Sequence, residues 1–205
     1  MNEQTKSTPP KQPSSSGWKQ ELYDWIETLT SVLVFVILLF TFFFMVIGVS
    51  GSSMYPTLHD QDLMLVQRIG YTPRQNDVVI LRKESFSEQA IVKRVIAVGG
   101  QEVEIDYEAN TIYVDGVALE EDYLNFDNSG PGDLASVYGE DYMCQREGMT
   151  YQDIIVPEGC IFVMGDNRNG STDSRYPELG WVDTRYVIGR AVSVFYPFNH
   201  AQLLQ

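Results

Sequence analysis

The sequence predicts a mainly β fold, a single N-terminal transmembrane helix followed by an all-β domain, on three observations. Leu29–Val49 is a run of 21 residues without a charge. Beyond it, short runs rich in Val, Ile and Leu alternate with turn residues. Helical periodicity is almost absent after residue 50. A chain of 205 residues has room for an anchor and one medium domain with its own core.

Residues 1–17 are polar, contain three prolines and read as a disordered tail. Residues 18–49 read as a juxtamembrane and transmembrane helix. Trp18, Leu22, Trp25 and Ile26 fall at helical spacing, with tryptophans suited to a headgroup interface. As a helix the uncharged run measures roughly 31 Å, enough to span a bilayer. A cleaved signal peptide is the alternative, but its apolar region is normally only about 7–15 residues behind a basic start. Lys6, Lys11 and Lys19 precede the span, and the next basic residue is Arg68. The positive-inside rule then makes the tail cytoplasmic and residues 50–205 an extracytoplasmic domain of a single-pass protein of the cell membrane. On that topology membrane lipid is a partner. Ser53 lies only four residues past Val49, a reach of roughly 14 Å at most, which holds its hydroxyl at the membrane surface.

Expected strands are Asp62–Ile69, Asp77–Arg82, Ala90–Val98, Glu102–Tyr107 and Thr111–Val114, the last ending at the hairpin dipeptide Asp115-Gly116. Ile154–Val156, Cys160–Met164 and Val187–Phe195 complete them. Residues 123–150, irregular and acidic, read as an insertion. The net charge of −14 excludes nucleic acid as a partner. Twelve acids and no Lys or Arg lie between Val95 and Gln145, which reads as a solvated acidic face without calcium-loop spacing. Cys144, Cys160, His59 and His200 form no cluster with zinc-like spacing, so neither metal nor cofactor is expected. If the topology holds, both cysteines lie on the oxidising side. A Cys144–Cys160 disulfide, worth about 3 kcal/mol by loop closure, is then expected, with two free thiols as the alternative.

Ser50-Gly51-Ser52-Ser53-Met54-Tyr55-Pro56-Thr57-Leu58 reads as a rigid exposed loop, with Gly51 free to take positive φ and Pro56 fixing a turn. A serine nucleophile needs an adjacent base. His59 and His200 are available, but neither has an orienting carboxylate motif. A lysine deprotonated by burial is the other option. Lys93 stands in the apolar run Ala90–Val98, with Ile91 and Val95 on its face by strand alternation. Desolvation there lowers its pKa; the plainer reading is an edge-strand lysine that discourages aggregation. The polar loop from Gly165 to Arg175 reads as a solvated turn or as a support that holds the amine.

These three segments resemble type I signal peptidase, the membrane-bound Ser/Lys protease family, in its Gram-positive form. The resemblance rests on Ser52–Leu58, on Lys93-Arg94-Val95-Ile96, and on Gly165-Asp166-Asn167-Arg168 with Ser171, Asp173, Ser174 and Arg175. It implies a membrane-anchored serine endopeptidase with a signal-peptidase-type β domain. This would cleave signal peptides from exported preproteins after small residues, with the export machinery as a possible neighbour. It further implies Ser53 as nucleophile, Lys93 as general base, Ser171 as hydrogen-bond partner of the lysine, and Arg94, Asp173 and Arg175 as one supporting ionic network. Met54, Leu58, Ile91 and Val92 match positions lining the substrate pockets. Gly51 stands where some members carry a serine hydroxyl, which leaves the oxyanion to a backbone N–H, that of Ser53 first, or to another donor. Two other readings are a self-cleaving repressor-type Ser/Lys protease and a non-catalytic membrane-anchored β subunit.

Overall fold

The computed structural model describes residues 17–106, 109–124, 154–176 and 178–204. The chain is mainly β behind one apolar helix, as expected. Helix α1 spans Gly17–Phe43 with no glycine or proline inside it. Its 27 residues extend about 40 Å, against about 30 Å of bilayer hydrocarbon. Thr28, Thr30 and Thr41 each donate a hydroxyl hydrogen bond to the carbonyl four residues back. Those three hydroxyls are thereby satisfied within the helix and need no water. The helix through Thr41 forms one unit and the chain from Phe42 onward another.

The apolar run does not stay helical to Val49. It turns extended at Phe44, and β1 (Phe44–Gly48) pairs antiparallel with β2 (Leu63–Gln67), in register from Phe44 opposite Gln67 to Gly48 opposite Leu63. Ser53 therefore follows the helix by ten residues, not by a four-residue tether from the span. The pairing also closes the intervening loop at its base, where Val49 N donates to Asp62 O (2.8 Å) and Gln61 N to Val49 O (2.9 Å).

β3 (Val78–Leu81) and β4 (Ile91–Val98) lie centrally in the larger sheet. β5 (Glu102–Asp106), β6 (Thr111–Val114), β7 (Val117–Ala118) and β8 (Ile154–Ile155) form a second sheet in the order β7-β6-β5-β8. With β9 (Cys160–Met164), β10 (Val182–Asp183), β11 (Val187–Tyr196) and β12 (Gln202–Leu203), the larger sheet runs β1-β2-β11-β3-β4-β9-β10, and β12 pairs with β11. The expected strands are present with ends that differ by at most two residues. Residues 1–16 of the expected tail and most of the 123–150 insertion lie outside the described residues, as does Cys144, while Gly17 already belongs to α1. Its expected partner Cys160 is a free thiol, half-buried at the start of β9.

Three buried clusters hold the sheets. Ile96, Phe162 and Met164 pack with Val103, Ile105 and Ile112 of the second sheet. Val79, Leu81 and Val95 pack with Val163 and Val182. Met54 and Leu58 of the serine loop pack with Met64, Val66 and Ile80. β11 passes so close to β2 that a Cβ on Gly189 would lie 2.2 Å from Gln67 O. Gly189→Ala should therefore lower stability by about 1–3 kcal/mol through overpacking against backbone. Thermal unfolding of the detergent-solubilised chain checks this; an unchanged midpoint contradicts it.

Candidate active site

The serine loop is pinned from both sides. Gly51 takes φ +93°, and its N–H donates to Asp60 Oδ1 at 2.9 Å. Met54 and Leu58, 2% and 0% exposed, turn inward as the loop's apolar anchors. Both face the core, whereas Ile91 and Val92 remain half-buried on β4. From the other side, Asn167 N donates to Ser53 O (3.0 Å) and Asn167 Nδ2 to Ser52 O (3.1 Å).

Across this loop stands Lys93, whose Nζ donates to Ser53 Oγ at 2.9 Å. The lysine is 3% exposed and sits opposite Val79 of β3, on the same face as Ile91 and Val95. Burial pushes its amine below the ordinary value of 10.5. Asp173 and Asp166 oppose that shift, and Arg175 reinforces it. Neither His59 nor His200 is hydrogen-bonded to Ser53 among the described residues. His200 Nδ1 pairs instead with Asp62 Oδ2 at 2.8 Å.

The loop after β9 supplies the support, with Arg94 in one ion pair and Asp173–Arg175 in another. Asp166 is fully buried and binds Arg94 through two contacts, Nε–Oδ1 at 2.9 Å and Nη2–Oδ2 at 2.8 Å. Separately, Asp173 binds Arg175 Nε at 2.8 Å and Nη2 at 2.9 Å, and accepts from Gly165 N at 3.0 Å. Burial would raise the Asp173 carboxyl, but the Arg175 guanidinium and these hydrogen bonds hold it below its usual range. The expected bond between Ser171 and Lys93 is not formed. Ser171 Oγ is buried without a hydrogen-bond partner and lies with Ser53 O against Gly165, where a Cβ would meet them at 2.2 and 2.4 Å.

Sequence reasoning missed how Asp166 ties these parts together. Thr57 Oγ1 donates to its Oδ2 at 2.5 Å, so one carboxylate joins the serine loop to the residue beside Lys93. The available signal was Arg94 itself, because an arginine in an apolar strand needs a buried carboxylate. Also missed was Arg168, buried against Glu121 and donating to Gly165 O at 3.1 Å. The Arg94 guanidinium in turn lies 3.8 Å over the Tyr123 ring.

Removing one partner of a buried pair strands the other charge. Asp166→Ala should cost about 3–5 kcal/mol, far more than a surface pair would. Thermal unfolding reads it, with Asp183→Ala, which strips the partner of exposed Arg185, as the comparison. Equal losses in the two variants contradict the account.

A family model described as "Signal peptidase, peptidase S26" matches residues 22–196. Signal peptidase I of Bacillus licheniformis is 32% identical over 188 residues, 90% of this chain and 94% of that protein. Signal peptidase I S of Bacillus subtilis is 33% identical over 185 residues, 88% and 92% of the two chains. A crystal structure of a signal peptidase I from Enterococcus faecalis matches at 31% identity over 58% of this chain and 97% of that one, with a TM-score of 0.43. A family match across most of the length, with relatives above 30% identity over nearly all of theirs, places this chain in the S26 family of signal peptidases, a family of proteases.

Proposed function

We propose that this chain is a membrane-anchored serine endopeptidase that removes signal peptides from exported preproteins, with Ser53 as nucleophile and Lys93 as general base. The observation that carries the assignment is the 2.9 Å contact between Ser53 Oγ and a buried lysine amine of lowered pKa. An unperturbed lysine is only about 0.1% neutral near pH 7.5, so without desolvation the pair would have almost no base.

Neutral Lys93 takes the Ser53 proton as Oγ attacks the scissile carbonyl. The oxyanion is received by backbone N–H, that of Ser53 first, since the Gly51 N–H is already held by Asp60 Oδ1. The Lys93 ammonium then protonates the departing amine, leaving an acyl-Ser53 and a neutral lysine. Lys93 next takes a proton from water, which attacks the ester, and returns it to Ser53 Oγ. The buried Ser171 hydroxyl is the group we assign to hold the lysine amine once Ser53 is acylated. Arg94 and Arg175 position that loop through Asp166 and Asp173. Half-buried Ile91 and Val92 shape the rim of the substrate pocket above Met54 and Leu58, a surface suited to small side chains.

α1 is long and apolar enough to cross a membrane. We assign it as the single anchor, with Lys6, Lys11 and Lys19 on the cytoplasmic side and residues 50–205 outside. Confinement to the bilayer surface raises the effective concentration of enzyme and signal peptide for each other.

The sign of the pH response follows from the lysine. A base of depressed pKa works above that value and is lost as pH falls through it. Cleavage of a secretory precursor should therefore rise along one ionisation centred below 10.5, and a profile centred at the ordinary lysine value contradicts the mechanism. Lys93→Arg should be as inactive as Ser53→Ala, since a guanidinium keeps its proton.

Lys93→Met should be inactive yet unfold at a higher temperature at neutral pH. A folded pKa below the unfolded one makes the native lysine increasingly destabilising as pH drops beneath 10.5. A lower midpoint for Lys93→Met would contradict the desolvation argument. For topology, protease added to intact, wall-stripped cells should remove an epitope at residue 205 and spare one at the N-terminus; the reverse pattern inverts the orientation.

A further inference from the structure

His59, Asp62 and His200 converge at the base of the serine loop although the two histidines are 141 positions apart. Their ligand atoms all lie within 4.8 Å of one another. His59 Nδ1 is 3.2 Å from His200 Nδ1, which is 2.8 Å from Asp62 Oδ2. These spacings are close to the edges of a metal tetrahedron, since ligands at about 2.0–2.1 Å from zinc sit about 3.3 Å apart. Hydrogen bonding explains the cluster poorly. Once His200 Nδ1–H donates to Asp62, that nitrogen cannot accept from His59, and two histidine nitrogens and a carboxylate compete for one proton.

The support is that of a built site. Asp62 is 1% exposed, and its Oδ2 also accepts from His59 N at 2.9 Å, which fixes its orientation. The Tyr55 ring meets His59 edge-on at 5.2 Å, and the two imidazoles meet at 4.1 Å, nearly perpendicular. His59 faces solvent, which leaves an entry path and room for a water as fourth ligand.

We propose that His59, Asp62 and His200 bind one divalent transition-metal ion of the zinc type, which fastens the C-terminal segment to the loop that carries Ser53. Two imidazoles and one carboxylate suit zinc, cobalt or nickel and not magnesium or calcium, which take oxygen ligands. Binding at His200 Nδ1 moves that proton to Nε2, so that the ring stays a neutral imidazole. Gln202 Nε2, now 3.3 Å from His200 Nε2 and bonded to Thr57 O at 2.7 Å, then turns its carbonyl oxygen to the ring. The metal thus replaces the His200–Asp62 and Gln202–Thr57 hydrogen bonds between the C-terminal segment and the serine loop with a three-ligand clasp. The site stands whether or not Ser53 and Lys93 act as proposed.

The test uses the untagged full chain in detergent. Cobalt(II) should bind saturably, one ion per chain, with the visible absorption of tetrahedral coordination, and zinc should displace it. Zinc should also raise the unfolding temperature, whereas magnesium should not. His59→Ala and His200→Ala should each weaken binding by at least about tenfold, since loss of even an outer partner costs about 10–100-fold. If His200→Ala does not fold, as judged by circular dichroism, exposed His59→Ala decides alone. Absence of saturable binding, or binding and thermal shift unchanged in the folded variants, overturns the site.

Discussion

Lys93 Nζ lies 2.9 Å from Ser53 Oγ and almost out of reach of water, and that burial lowers the pKa of the amine below the ordinary lysine value. β3 and β4 supply the apolar wall, with Val79 directly opposite the lysine. The loop after β9 covers the other side. The two nearest acids are the hazard, because Asp173 and Asp166 both favour the ammonium. At an effective dielectric constant of about 20, a lone carboxylate about 4 Å away is worth about 4 kcal/mol to the charged form, enough to undo much of a burial shift. Each acid is already held by a guanidinium, Asp173 by Arg175 and Asp166 by Arg94. The arginines compensate the carboxylates so that desolvation wins.

That arrangement has a structural cost and a structural use. Three ion pairs are buried here, including Arg168 with Glu121, and buried pairs contribute little net stability over apolar packing. Their use is positional. Asp166 alone bonds the residue after Lys93 and the hydroxyl of Thr57. Asp173 fixes Gly165 N, and Gly165 has no room for a side chain between Ser171 and Ser53 O. The serine, the lysine and the covering loop are thereby held in one geometry despite lying 40 and more residues apart.

What could be read from the chain was whatever has a local signature. A lysine in a run of branched residues, hairpin dipeptides and a glycine beside two serines all carry their meaning within a few positions. β1 has no such signature. Phe44–Gly48 shares the composition of the helix before it, and only pairing with β2 makes it a strand. The division of the ionic network was equally hidden, because Arg94 and Asp166 are 72 positions apart and either acid could have been its partner. The histidine cluster is the sharpest case: spacing along the chain said no metal, while the fold brings His59 and His200 together across 141 positions.

The central claim is that Lys93 rests neutral in the free protein, and its own titration tests that most directly. With 15Nζ-labelled lysine in the detergent-solubilised chain, and Lys93→Met to assign the signal, the Lys93 resonance can be followed against pH. The account predicts that it titrates apart from the solvent-exposed lysines, on their acidic side. A Lys93 that titrates together with the solvent-exposed lysines, at the ordinary value near 10.5, would contradict it.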